Sequence, residues 1–203
     1  MRSDYEKIFA EFLRENDIDV RLSHDMPAGY ERAYGTYDVV ANTLYLNTEM
    51  LKDAPDYEVL FYLYHELRHA VQHLHSELFN GQIQASRFYV VLYNGTCFRL
   101  AGGAWLECRP EMSEVSEASE VSEASETPEA VDGTEDYFLR AYLSLPYEID
   151  ANAFAYRRVK DMCGDSPELC SLYGLWTPLE RLEYGELRRL FGRIDALTGA
   201  SEN

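Results

Sequence analysis

Apolar residues at helical spacing open the chain: Tyr5, Ile8, Phe9, Phe12 and Leu13 form one stripe that ends near Asn16. Ser3, with Glu6 three residues on, supplies a capping box for that helix. Residues 18–22, from Ile18 to Leu22, alternate apolar and polar as a half-buried strand does. Residues 36–40 and 44–46 then flank Ala41, Asn42 and Thr43, a pattern that predicts a hairpin. A much longer helical pattern follows, from Pro55 or Asp56 to Asn80, with Gly81 as its stop.

Three short apolar runs come next, at 88–93, 96–100 and 104–108, separated by the turn pairs Asn94-Gly95 and Gly102-Gly103. They predict a three-stranded meander. Residues 111–130 are almost wholly Glu, Ser, Ala and Val, and Val115 to Glu120 is repeated as Val121 to Glu126. Without aromatics this segment cannot recover an ordering entropy of roughly 1–2 kcal/mol per residue, so the expectation for 111–131 is a disordered, self-repelling acidic insertion. Beyond it Thr134 caps a helix to Leu143, and Ser144-Leu145-Pro146 restarts the chain into a helix over 147–162 that Gly164 ends. Thr177-Pro178-Leu179-Glu180 reads as a capping box for a last helix that runs to Leu197, before Gly199. The expected fold is α+β, one domain over residues 1–203: a small antiparallel sheet packed on the long helix, a second helix beside it, and an inserted meander.

Composition narrows the function classes. At 203 residues and 46% hydrophobic content the chain can bury a sizeable core. A net charge of −18 opposes phosphate backbones, and no basic patch offsets it, so a nucleic-acid partner is not expected. No run approaches the roughly 20 apolar residues of a membrane span, and the charged N-terminus is unlike a signal peptide, so no membrane association and a cytoplasmic location are expected. Cys97, Cys108, Cys163 and Cys170 are too few and too loosely spaced for a disulfide framework or a structural zinc site, which makes reduced thiols the expectation.

Candidate chemistry lies in the long helix. In His65-Glu66-Leu67-Arg68-His69 the histidines are four residues apart, so both project from one helix face and reach one tetrahedral cation. Glu66 points about 100° around the helix from His65, where it can approach a water on the cation without itself being a ligand. Phe61 to Tyr64 before the motif and Ala70-Val71 after it leave little of this helix wet, and two buried histidines without a metal or partner are costly. A third ligand must come from elsewhere. His73 is about 12 Å along the axis from His65, too far to share its ion, and it joins His24 and His75 as a neighbouring or surface residue. The helix over 147–162 sets acids among small residues: if Ala151 and Ala155 face the long helix, Glu148 lies on the same stripe and becomes the third ligand. Asp150 is then the candidate to hold the far ring nitrogen of His65 or His69. Both acids also suit the positive end of their own helix without any metal.

These residues carry a resemblance. Gly35-Thr36-Tyr37-Asp38, Leu44-Tyr45-Leu46-Asn47, Tyr64 to His69, and Glu148 to Ala155 together resemble the ImmA/IrrE-type zinc peptidases, small cytoplasmic enzymes of bacteria and their mobile elements. The resemblance implies a zincin-like fold, Zn2+ held by His65, His69 and Glu148, Glu66 as the catalytic base, and a protein or peptide substrate of regulatory type. It covers about a third of the chain, and the meander with its acidic loop, between His69 and Glu148, departs from it. The mechanism expected is metal-assisted hydrolysis of a peptide bond, with an extended substrate along an edge strand at 44–46 and with Tyr147 or Tyr156 near the site. The competing reading is a metal-binding regulatory or interaction module without turnover.

Overall fold

The computed structural model describes residues 4–111 and 130–200, with 130–135 as backbone alone. Nearly all of the acidic segment 111–131 lies outside the described residues. The elements, in chain order, are α1 (Tyr5–Asn16), β1 (Arg21–Ser23), β2 (Gly35–Asp38), β3 (Thr43–Leu46), α2 (Asp56–Leu74), α3 (Gly81–Ser86), β4 (Tyr89–Val91), β5 (Cys97–Ala101), β6 (Ala104–Cys108), α4 (Ala130–Ser144), α5 (Pro146–Cys163), α6 (Pro167–Leu175) and α7 (Tyr184–Thr198). The content is α+β. The chain divides into two compact units, one built from the chain through Gln84 with Pro146–Thr177, the other from Ala85–Leu145 with Pro178 onward.

The first unit is organised around α2. This helix is apolar on nearly every side, and Leu60, Leu63, Leu67 and Ala70 have no exposed surface. It packs on β2 and β3 and against α1 and α5. Phe9 and Phe12 of α1, Tyr37 and Leu44 of the sheet, and Ala155 and Val159 of α5 join it in one core. Each fully buried leucine contributes about 2–3 kcal/mol. Ala151 and Ala155 are fully buried, and with only a methyl group at each of these positions the axis of α5 can come close to α2.

The sheet of this unit is ordered β1-β3-β2. Strands β2 and β3 form the expected hairpin, antiparallel with Tyr37 opposite Leu44, and the turn is set by Asn42 at positive φ and by Asp38 Oδ1, which accepts from the amides of Val40 and Ala41. Strand β1 runs parallel to β3, so the sheet is mixed rather than antiparallel. A chain of 11 residues separates β1 from β2, long enough to cross over and leave β1 on the far side of β3. As a result β3 is the central strand and 44–46 is no edge; the free edges belong to β1 and β2.

In the second unit β4, β5 and β6 form the expected meander, in that order and antiparallel throughout. Its core is Val91, Cys97, Phe138, Leu145, Leu187, Leu190 and Ile194. Gly95 at φ 82° is required twice over, since a Cβ there would also sit 3.0 Å from the Phe138 ring. Arg99 pairs with Asp195 at 2.7 Å, and Tyr89 donates to the other oxygen of the same carboxylate at 2.8 Å. All four cysteines are free.

Several helix ends differ from the sequence pattern. Helix α1 is capped by Asp4, whose Oδ1 accepts from Lys7 N; Ser3 is outside the described residues. Helix α2 stops at Leu74, not Asn80: a 3-10 turn over Ser76–Leu78 follows it, and Asn80 caps a new helix, its Oδ1 accepting from the amides of Gln82 and Ile83, so that Gly81 opens α3 instead of closing α2. Helix α4 starts at Ala130, four residues before Thr134, there being no proline in that turn to deny it backbone donors. Helix α6 was not anticipated, although Ser166 accepting from Leu169 N and Pro167 in the first turn are its signal. The last helix starts at Tyr184, not after Thr177. The Thr177 hydroxyl instead donates to Tyr173 O at the end of α6, and the capping interaction at α7 comes from Glu186, which accepts from Glu183 N at 2.7 Å. Replacing Glu186 with Ala should lower stability by about 1 kcal/mol in urea unfolding, whereas Glu180→Ala, at a mostly exposed side chain, should cost less than half as much.

Candidate metal centre

His65 and His69 lie one turn apart on α2, and Glu148 lies in the first turn of α5. All three are buried, at 8%, 4% and 8% exposure. His65 Nε2 and His69 Nε2 are 2.9 Å apart, and Glu148 Oε2 is 3.3 Å from the first and 3.5 Å from the second. Two imidazole nitrogens and a carboxylate oxygen thus point at one another from two helices. Glu148 Oε2, buried and charged, makes no hydrogen bond of good geometry among the described residues. A carboxylate oxygen left so, facing two imidazole nitrogens, fits a cation held among the three. The His65, His69 and Glu148 group can hold a metal ion.

The electrostatics follow from this convergence. Burial alone drives Glu148 toward the neutral acid, but His69 and His65 outweigh it and hold the carboxyl well below its ordinary range. Burial likewise disfavours a charged His65, and Glu148, Glu66 and Asn152 overcome it, raising its pKa. Glu66 is different. Burial raises its pKa, His65 and His69 lower it only in part, Glu148 raises it further, and the backbone amide of Tyr37 stabilises its anion. Glu66 packs against β2 at Gly35 and is outside the group of His65, His69 and Glu148. Gly35 makes this contact possible, since a Cβ there would meet Glu66 Cγ at 3.0 Å and Tyr45 O at 3.2 Å.

Asp150 does not touch either histidine ring. It accepts from Arg68 at 2.7 and 3.2 Å, and its Oδ2 also accepts from Gln72 Nε2 at 2.9 Å. Gln72 is the residue on His69, with Oε1 2.8 Å from Nδ1. Sequence reasoning missed Gln72, although a position three residues past His69 shares its helix face. It also missed Asn152, which is one turn past Glu148, lies beside His65 and donates to Trp176 O at 3.3 Å. Tyr147 stacks on the His69 ring, with centroids 3.9 Å apart, and meets His73 edge-on. Tyr156 is elsewhere, stacked on Tyr173 and donating to Asp165. His24 packs edge-on against Tyr5, and His75 lies 3.4 Å from Glu77. Tyr30, in the loop between β1 and β2, is exposed at 36%, and partial desolvation, Asp38 and Glu66 all oppose its ionisation.

Comparisons with models of known families, with curated proteins and with solved structures give no match to this chain. No helix among the described residues is long and apolar enough to cross a membrane.

Gly35→Ala should force Glu66 away from the Tyr37 amide and lower stability by about 1–3 kcal/mol, an overpacking cost readable from urea midpoints. Glu66→Ala in the same background should recover most of it, because the clashing Cγ is gone.

Proposed function

We propose that this chain is a metal-dependent hydrolase, and specifically a zinc peptidase acting on a protein or peptide substrate. The observation that carries the reading is the meeting of His65 Nε2, His69 Nε2 and Glu148 Oε2 in a buried place, with the Glu66 carboxylate beside them and outside the donor set. Two imidazole nitrogens and one carboxylate oxygen suit zinc among the common divalent ions, and His65, His69 and Glu148 would hold it with room left for a further ligand. When bound, zinc supplies Lewis-acid chemistry, polarising a carbonyl oxygen and acidifying water.

The protein's own groups supply the rest. Glu66 takes the proton of the attacking water at its carboxylate and returns it to the leaving amide nitrogen. Burial raises its basicity, which suits a group that must both accept and release a proton. The Tyr37 amide keeps the carboxylate oriented between those two transfers. The β2 edge, not 44–46, is where an extended substrate would pair, apart from the Tyr37 amide that Glu66 occupies, and Gly35 leaves room for Glu66 at that edge. The likeness to ImmA/IrrE-type peptidases, carried by the same residues, supports this assignment of roles.

Elemental mass spectrometry on protein purified without added metal should give near one zinc per chain, lost in both His65→Ala and Glu148→Ala. No zinc in the wild type, even after reconstitution, would end the reading. Glu66→Gln should keep the zinc and lower hydrolysis of a peptide library at least 100-fold. An unchanged rate in that variant would remove Glu66 as the base, and a zinc-loaded wild type that cleaves nothing would leave a metal-binding module without turnover.

A further inference from the structure

We propose that Gln72, anchored by Asp150 and Arg68, is a positioning residue that locks His69 in the tautomer with its proton on Nδ1 and its lone pair on Nε2. The inference rests on the reading of His69 as a metal ligand and adds how that ligand is prepared before any ion arrives.

The amide of Gln72 is 1% exposed, so its partners are protein groups. One end of this amide lies 3.0 Å from the carbonyl oxygen of Tyr147 and 2.9 Å from Asp150 Oδ2. Both of these are acceptors. Only an NH2 group can face two acceptors, so this end is Nε2, with both of its protons used. The other end is then Oε1, an acceptor, and it lies 2.8 Å from His69 Nδ1. A close contact with an acceptor requires Nδ1 to carry a proton. Nε2 is left with its lone pair directed at His65 and Glu148, the form a metal ligand needs. Free histidine in water favours the opposite tautomer, so the protein is selecting the rarer one.

The lock is itself held. Arg68 grips Asp150 through two hydrogen bonds at 2.7 and 3.2 Å, and its guanidinium lies between the rings of Phe79 and Phe154, 4.5 and 4.7 Å from their centroids. The ion pair fixes the carboxylate, the carboxylate and the Tyr147 carbonyl fix the amide, and the amide fixes the ring. Tyr147 adds a second restraint by stacking on the His69 ring, so the plane as well as the tautomer is set. This accounts for an arginine at the fourth position of the His-Glu-x-x-His motif: Arg68 bonds Asp150 of α5 and closes the far end of the chain of contacts.

The test is nitrogen-15 NMR of the histidine side chains in metal-free, full-length protein at about pH 9, above the ordinary histidine range. It is run beside Gln72→Leu, an apolar side chain of similar size, and paired with zinc affinity measured by chelator competition. The wild type should show His69 as a single tautomer protonated at Nδ1. Gln72→Leu should shift it toward Nε2 protonation and weaken zinc binding 10- to 100-fold. A wild-type His69 protonated at Nε2 overturns the proposal even if the variant does not fold. So does a folded Gln72→Leu protein with an unchanged tautomer or unchanged zinc affinity. Neither readout uses a substrate: a wild type with the Nδ1 tautomer and tight zinc binding that cleaves no peptide upholds this inference and sinks the peptidase reading, and an active zinc enzyme with the other tautomer does the reverse.

Discussion

The approach of α5 to α2 is the constraint on which the site depends. Ala151 and Ala155 are fully buried, and at that crossing a larger side chain would hold the helices apart. Two histidines from one helix and a carboxylate from the other are thereby brought within 3.5 Å of each other in a buried place. Collecting ionisable groups in this way is costly unless each is compensated. Here the compensation is mutual, and it depresses the Glu148 carboxyl while raising His65. The arrangement is suited to a cation, which all three groups would face.

Around this centre the sheet and the helices have different tasks. The sheet edge holds Glu66 through the Tyr37 amide, and Gly35 yields it space. Helix α5 contributes Glu148 toward the cation site and Asp150 toward Arg68, two positions apart and so on different sides of the helix. The acid that faces the two histidines is thus separated from the acid that holds Arg68 and Gln72. Gln72 connects the two, as a neutral amide between a histidine ring and an ion pair, and a carboxylate in its place would face Asp150 and the Tyr147 carbonyl as a third acceptor.

The second unit shows how the same chain builds a core without such chemistry. One of its ion pairs, Arg99 with Asp195, is joined by the Tyr89 hydroxyl, and its apolar residues close over one face of a meander whose turns are set by Asn94-Gly95 and Gly102-Gly103. Its cysteines are unpaired thiols, and burial pushes the pKa of Cys97 up to about 12, which leaves that group inert at ordinary pH.

What the amino-acid sequence by itself determined is what short-range geometry controls. A period of 3.6 residues puts His65 and His69 on one face and Glu66 beside them, and the same period puts Glu148 on the stripe of Ala151 and Ala155. Turn chemistry placed the β2–β3 hairpin and the meander, since glycine and asparagine tolerate positive φ wherever they occur. Tertiary structure decided the rest. The crossover that sets β1 parallel to β3, and so makes β2 rather than 44–46 the edge, depends on which strand is nearest in space, and no local pattern records it. Asp150 went to Arg68 and Gln72 because its reach is measured across the helix interface, where a side chain 82 residues away competes for it. Thr177 and Asn80 carry capping side chains whatever their surroundings, but whether each closes one helix or opens the next was settled by the packing of the segments on either side.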